Sequence, residues 1–278
     1  MKEVISMWKN TRMIILVALT AAIYAAFLIV FKGGLVLIPG ITEVRPANVF
    51  PPVFSLLFGP AGAWGSAIGN LIGDIFGGTL GIGSIFGFVG NFLLGYIPYK
   101  MWGACFGLIS KDKMDQNTNT GKKLAAFEIV ALASSAACAI VIAWWLDLTG
   151  VVPFAVLSVT ITLNNFLAAC IIGPILLVLL YPRVKHWGLI WTDIMKVEDV
   201  AKGFAINLGS LLMIIGSLGG LVVGFLVATG IAGQNLMSFT GGSKGQVSVW
   251  LAVLPFLIVI VVAGFMLSGR EQFVEDKE

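Results

Sequence analysis

The chain has 278 residues, of which 58% are hydrophobic and only 11% charged, and it carries a net charge of +3. A soluble domain carries roughly 25% charged residues, so this composition excludes a soluble surface. No basic cluster with interleaved aromatics speaks for nucleic acid.

The apolar residues fall in blocks near the ~20 residues that cross a bilayer. The first, 13–31, exceeds the ~7–15-residue core of a signal peptide and is expected to remain as a first span. The expected class is all-α, a polytopic membrane helical bundle of about eight transmembrane helices. In chain order the spans are expected near 12–31, 46–59, 61–80, 84–109, 123–146, 152–181, 203–229 and 248–268. The second is short and contains Pro51 and Pro52, so it should pack against other helices rather than lipid.

Lys and Arg alternate between the connections. Lys2, Lys9 and Arg12 precede the first span, and Lys111, Lys113, Lys122 and Lys123 follow the fourth. Arg183, Lys185, Lys196 and Lys202 follow the sixth, and Arg270 and Lys277 follow the last. The other set of connections has only Lys32, Arg45 and Lys244. By the positive-inside rule both termini are expected in the cytoplasm, which an even number of spans requires as well. Within 183–202, Trp187, Ile190, Ile194, Val197 and Ala201 recur at helical spacing among charges, predicting an amphipathic helix at the interface.

The 34 glycines are ordered. Gly65, Gly69, Gly73 and Gly77 form a stripe on the third span, Gly87, Gly95 and Gly103 mark the fourth, and Gly216, Gly220 and Gly224 mark the seventh. Such stripes let helix backbones approach closely, here within the chain. Ala18, Ala22 and Ala26 form a small-residue stripe on the first span that suits either internal packing or a partner subunit.

Polar residues inside spans are the functional pointers, because a charge at the bilayer centre costs roughly 2.5–3.5 kcal/mol. Asn70 and Asp74 share one face of the third span with Ser66. Asn91 lies about two turns into the fourth. Trp144 ends the fifth, and Asn164 and Asn165 lie in the sixth. Glu43, Arg45 and Asn48 stand in the first outer connection. All fall at one depth, in the outer half, as an outward-facing polar pocket with aromatic walls requires. Arg45 suits an anionic or carbonyl group, or pairs with Asp74. The amides give and take hydrogen bonds with a flat polar ligand. The alternative is bonding between helices alone.

No HExxH, GxSxG or P-loop motif is present, so no catalytic residue is assigned. Cys105, Cys138 and Cys170 lie in apolar segments without a CxxC and read as small core residues. His186, the one histidine, reads as interfacial. No metal and no cofactor is implied.

Four segments resemble a known family: ALTAAIYAAF from Ala18, TEVRPANVFPP from Thr42, LLFGPAGAWGSAIGNLIGD from Leu56, and GSIFGFVGNFLLGYIPYK ending at Lys100. They resemble the substrate-binding S component of energy-coupling factor (ECF) transporters, and within it the members for queuosine precursors. The resemblance covers roughly the first 100 residues by motif and the next 80 by span pattern. It implies a non-enzymatic subunit that takes a vitamin-like micronutrient from outside a prokaryotic cell membrane. That subunit docks on a T subunit served by two separate ATPases, and Ala18, Ala22 and Ala26 become the docking surface. Residues 1–182 then form the six-helix substrate-binding core, 183–202 the interfacial helix, and 203–278 two additional spans with a short tail. The extra pair departs from the family's six spans and mildly favours a stand-alone secondary transporter or channel for a small polar solute, the second reading.

Overall fold

The computed structural model describes residues 1–31, 36–38, 42–43, 45–105, 108, 117–232 and 246–273. A short helix α1 (Lys2–Ser6) and a 3-10 turn (Met7–Lys9) lead into α2 (Thr11–Val30). Asn10 starts α2: its side-chain oxygen accepts from the Arg12 and Met13 amides at 3.0 and 3.4 Å, meeting two of the free N–H groups of the first turn. Strands β1 (Val36–Ile38) and β2 (Thr42–Glu43) pair antiparallel. A 3-10 turn (Pro46–Val49), α3 (Phe50–Phe58), α4 (Pro60–Phe76), α5 (Ile82–Trp102), α6 (Gly121–Leu148) and α7 (Phe154–His186) follow. After α8 (Trp191–Ile194) come α9 (Ile206–Ile214), a π-helical turn (Ile215–Gly219), α10 (Gly220–Ala228) and α11 (Gln246–Met266).

Among the described residues, six helical segments are long and apolar enough to cross a membrane: Thr11–Val30, Ile82–Trp102, Gly121–Leu148, Phe154–Ile194, Ile206–Ala228 and Val249–Met266. The protein is an all-α, multi-pass membrane bundle. The two remaining expected spans are shorter. α4 has 17 residues, about 25 Å at 1.5 Å per residue. α3 has nine residues and does not reach across alone. Every residue from Pro51 to Phe58 is buried, so α3 packs on protein, as its prolines require. Pro51 and Pro52 fall in its first turn, where a missing N–H costs nothing. Gly59 then turns the chain at φ 54°, a left-handed conformation open to glycine. A Cβ there would also lie 2.6 Å from the Trp191 ring.

The glycine stripes are spent inside the chain. A Cβ at Gly65 would stand 1.9 Å from Thr20 Oγ1, and one at Gly69 2.9 Å from the Ala21 carbonyl, so α2 and α4 touch backbone to backbone. A Cβ at Gly95 would stand 2.7 Å from Ala63 Cα, and Gly216, Gly220 and Gly224 lie against Ile260, Phe256 and Phe154. Ala18, Ala22 and Ala26 sit on the opposite, exposed face of α2.

The expected amphipathic helix over 183–202 does not form as one element. α7 continues to His186 and stops at Gly188, whose φ is 62°. A four-residue helix and a 3-10 turn (Val197–Asp199) follow. The reason is burial on protein: Ile190, Trp191, Met195 and Val200 are all buried. Trp191 packs edge-on to Tyr99 and Phe273 at 5.7 and 5.2 Å. Trp187 and Val197 keep the exposure expected of interfacial residues.

Both ends of the described chain meet at this same pole. The Glu3 carboxylate and the Lys100 ammonium form an ion pair with no exposed surface on either side chain. Glu3 also accepts from the Ala201 amide at 3.2 Å and from the Tyr99 hydroxyl at 3.4 Å. Lys100 reaches the Leu267 carbonyl at 3.5 Å, and Gln272 donates to the Tyr99 carbonyl. Tyr96 donates to the Gly264 carbonyl at 2.9 Å and Ser210 to the Ala104 carbonyl at 3.0 Å. The C-terminal helices α9–α11 are thereby fastened to α5, α6 and α7, while α2 lies elsewhere.

Candidate functional site

Five elements bring polar side chains together at the pole opposite the termini. Tyr24 of α2 is 1% exposed, yet its ring carries a hydroxyl deep in the bundle. That oxygen lies 3.0 Å from Asn48 Oδ1 and 2.9 Å from Asn91 Oδ1. Asn48, on the 3-10 turn before α3, contacts the Asn165 amide of α7 at 2.6 Å. Asn91 Nδ2, on α5, donates to the Gly87 carbonyl at 2.9 Å. Cys138 of α6 lies beside the Asn165 side chain.

A phenol has one proton and donates to only one of two amide oxygens. The two ends of an asparagine amide have the same shape, so the network decides which way each faces. With Asn48 and Asn165 turned over, every bond runs head to tail. Asn165 then donates to Asn48, Asn48 to Tyr24, Tyr24 to Asn91, and Asn91 to the Gly87 carbonyl. The Asn165 oxygen is left to accept from Cys138. Each polar group is satisfied in an apolar interior, where an unmade bond is costly.

The flanks carry the charges. Asp74 on α4 accepts from Asn70 Nδ2 at 3.4 Å and from Thr79 Oγ1 at 3.3 Å. Asn70 also lies against α5, its Nδ2 3.1 Å from where a Gly87 Cβ would stand. Arg45 opens the 3-10 turn, and its backbone amide donates to Asn164 Oδ1 at 3.0 Å. Its charge acts on both Tyr24 and Cys138. Asn48, Asn70, Asn91 and Asn165 are buried, and Arg45, Asp74 and Asn164 half-buried.

Of the residues expected from the sequence, Arg45, Asn48, Asn164 and Asn165 thus meet directly, Asn91 joins through Tyr24, and Asn70 and Asp74 adjoin through Gly87. Glu43 lies on β2 by its backbone, and its side chain falls outside the described residues. Trp144 is elsewhere: it stacks on Trp250 of α11 at 6.0 Å, and its Nε1 donates to the Trp250 carbonyl at 3.2 Å. Successive helix positions point about 100° apart: Trp145 stacks on Phe86 of α5 at 4.2 Å, while Trp144 meets the same ring tilted, at 6.2 Å. Asp147 caps α7, accepting from the Phe154 amide at 2.8 Å. The sequence placed Trp145 at the outer face beside Trp144 and read Cys138 as core, and it did not single out Tyr24. For Tyr24 a signal existed, since a hydroxyl at mid-span needs a partner.

The arrangement is a preformed set of amides, a phenol, a carboxylate and a guanidinium, groups that can hydrogen-bond a small polar molecule. A family model described as QueT transporter matches residues 14–182. The match takes in α2 through α7 and every residue of the polar chain, while α9–α11 lie beyond it. No curated protein and no solved structure matches the chain. The matched segment is more than half of the chain and agrees with the resemblance carried by residues 18–100: the protein belongs to the QueT transporter family, S components of ECF transporters for queuosine precursors.

Proposed function

We propose that this protein is the substrate-binding subunit of an ECF-type importer in a prokaryotic cell membrane, and that it captures a queuosine precursor from outside. The observation that carries this reading is the hydrogen-bonded chain of Asn165, Asn48, Tyr24 and Asn91, buried between α2, α5 and α7 with Arg45 and Asp74 at its edges. A deazaguanine base offers a flat ring with donors and acceptors on its rim, which amides match on both counts. The cation-rich pole with both termini faces the cytoplasm, and the polar chain faces outward. Residues 1–182 hold the ligand, and 203–278 pack on the core as a fixed addition. Separate T and ATPase subunits supply the energy. Ala18, Ala22 and Ala26 are the docking stripe, since they are the small-residue stripe left exposed when the glycines pair internally.

Native mass spectrometry of the detergent-purified chain with queuine tests the ligand. One bound molecule is expected, and its loss in Asn91→Ala. An empty wild-type chain sinks the reading. For docking, Ala22→Trp is expected to keep queuine and to lose co-purification with co-expressed T and ATPase subunits. Undiminished co-purification removes α2 as the docking face.

A further inference from the structure

We propose that Trp145 and Ser158 form an outer subsite that reads the lactam edge of the bound heterocycle, an inference that rests on the binding function proposed above. Three contacts set the register between α6 and α7. Phe127 lies against Gly173, 2.5 Å from where a Cβ would stand. Cys138 lies beside Asn165. Asp147 receives the Phe154 amide at 2.8 Å. The helices are antiparallel, so a step outward from Cys138 adds to its number and one from Asn165 subtracts. Seven residues, two helical turns, return each helix to nearly the same face. The step leads to Trp145 on α6 and Ser158 on α7, about 10 Å outward from the Cys138–Asn165 contact.

Both positions hold a buried polar atom without a hydrogen-bond partner, Trp145 Nε1 and Ser158 Oγ. Ser158 has no exposed surface at all. A serine or threonine in a span commonly satisfies its hydroxyl on a carbonyl of the preceding turn. Ser66, Ser134, Thr160, Thr162, Ser210 and Ser217 all do so. Ser158 does not, although the Phe154 carbonyl stands one turn before it, so its hydroxyl is left without a partner. The Trp145 ring is held by parallel stacking on Phe86, 16° between planes.

An indole N–H only donates, whereas a serine hydroxyl gives and accepts. At one level on neighbouring helices, they complement a carbonyl next to a ring N–H. The indole donates to the carbonyl, and the serine oxygen accepts from the ring nitrogen. That pair of groups is the lactam edge of an oxo-purine-like base. A ligand about 10 Å long with its lactam at this subsite has its far end at the amide chain, the distance the register requires.

Calorimetric titration of the full chain with queuine, and with its analogue in which the lactam carbonyl is replaced by an amino group, tests the assignment. Trp145→Phe keeps the stack on Phe86 and removes the N–H. Ser158→Ala removes the hydroxyl. Each is expected to weaken queuine roughly 10-fold, the effect of one lost hydrogen bond. Each is also expected to shrink the wild-type preference for queuine over the analogue by a similar factor, which a structural role would leave alone. Queuine affinity or that preference unchanged in both variants overturns the subsite while leaving the binding function standing. A wild-type chain that binds neither probe overturns both.

Discussion

Glu3→Gln is expected to cost about 3–5 kcal/mol of stability, the scale for breaking a buried ion pair from one side. The variant leaves the Lys100 ammonium without a counter-charge where neither side chain has exposed surface. Lys100 keeps the Leu267 carbonyl at 3.5 Å and the rings of Tyr96 and Tyr99 at 5.7 and 5.9 Å. None of these carries a negative charge. In a chain of this size the loss reads as a fall in thermal midpoint on the order of 10 °C, measured in detergent. The double variant Glu3→Leu with Lys100→Met is expected to recover part of the loss, because no charge is then stranded. A midpoint within 2 °C or so of wild type in Glu3→Gln excludes a structural role for the pair.

The same pair predicts a pH dependence. Burial raises the Glu3 carboxyl, but the Lys100 charge and hydrogen bond, with the N-terminal amine, outweigh it and hold the group below its ordinary 4.5. A depressed carboxyl contributes stability that is complete above the ordinary value. That contribution is lost as pH falls through the folded value. The wild-type midpoint should therefore hold from neutrality to about pH 5 and fall below it, and Glu3→Gln should flatten that acid limb.

The second large effect is on binding. Asn48 is the branch through which the 3-10 turn, α2 and α7 communicate, at 3.0 Å from Tyr24 and 2.6 Å from Asn165. Asn48→Ala removes two bonds and leaves a phenol and an amide short of partners. Queuine affinity is expected to fall roughly 100-fold, at about 1.4 kcal/mol for each factor of ten. Tyr24→Phe keeps the ring and the packing against Gly69 but interrupts the chain between Asn48 and Asn91, and roughly 10-fold is expected. Calorimetry gives the affinities, and the thermal midpoint of Tyr24→Phe separates lost binding from lost fold. Wild-type affinity in both variants would make these amides glue between helices and nothing more.

The C-terminal helices show how far a resemblance reaches. The family match ends at residue 182, yet α9–α11 are tied to the matched part by Tyr96, Lys100, Trp144 and Ser210. Trp144 looked like a pocket wall because it shares a depth with the amides. In the fold it stacks in the seam with α11, and its neighbour Trp145 makes the closer stack on Phe86 of α5.

The sequence by itself determined the membrane, the helical class, where the apolar helices start to within a few residues, and which polar residues needed an explanation. These follow from one-dimensional quantities: the length of an apolar run against bilayer thickness, and the cost of a polar group inside it. Only the tertiary structure decided which polar groups meet. Glu3 and Lys100 are 97 positions apart, and Tyr24 and Asn91 are 67. Depth can be counted along a helix, but the facing direction turns about 100° with each residue, and the partner across the interface depends on the register between helices. Here that register came from glycine contacts such as Gly65 on Thr20 and Gly173 on Phe127. The same logic broke the expected interfacial helix: its apolar residues found a protein surface at Tyr99 and Phe273 to bury against, so they did not need the bilayer.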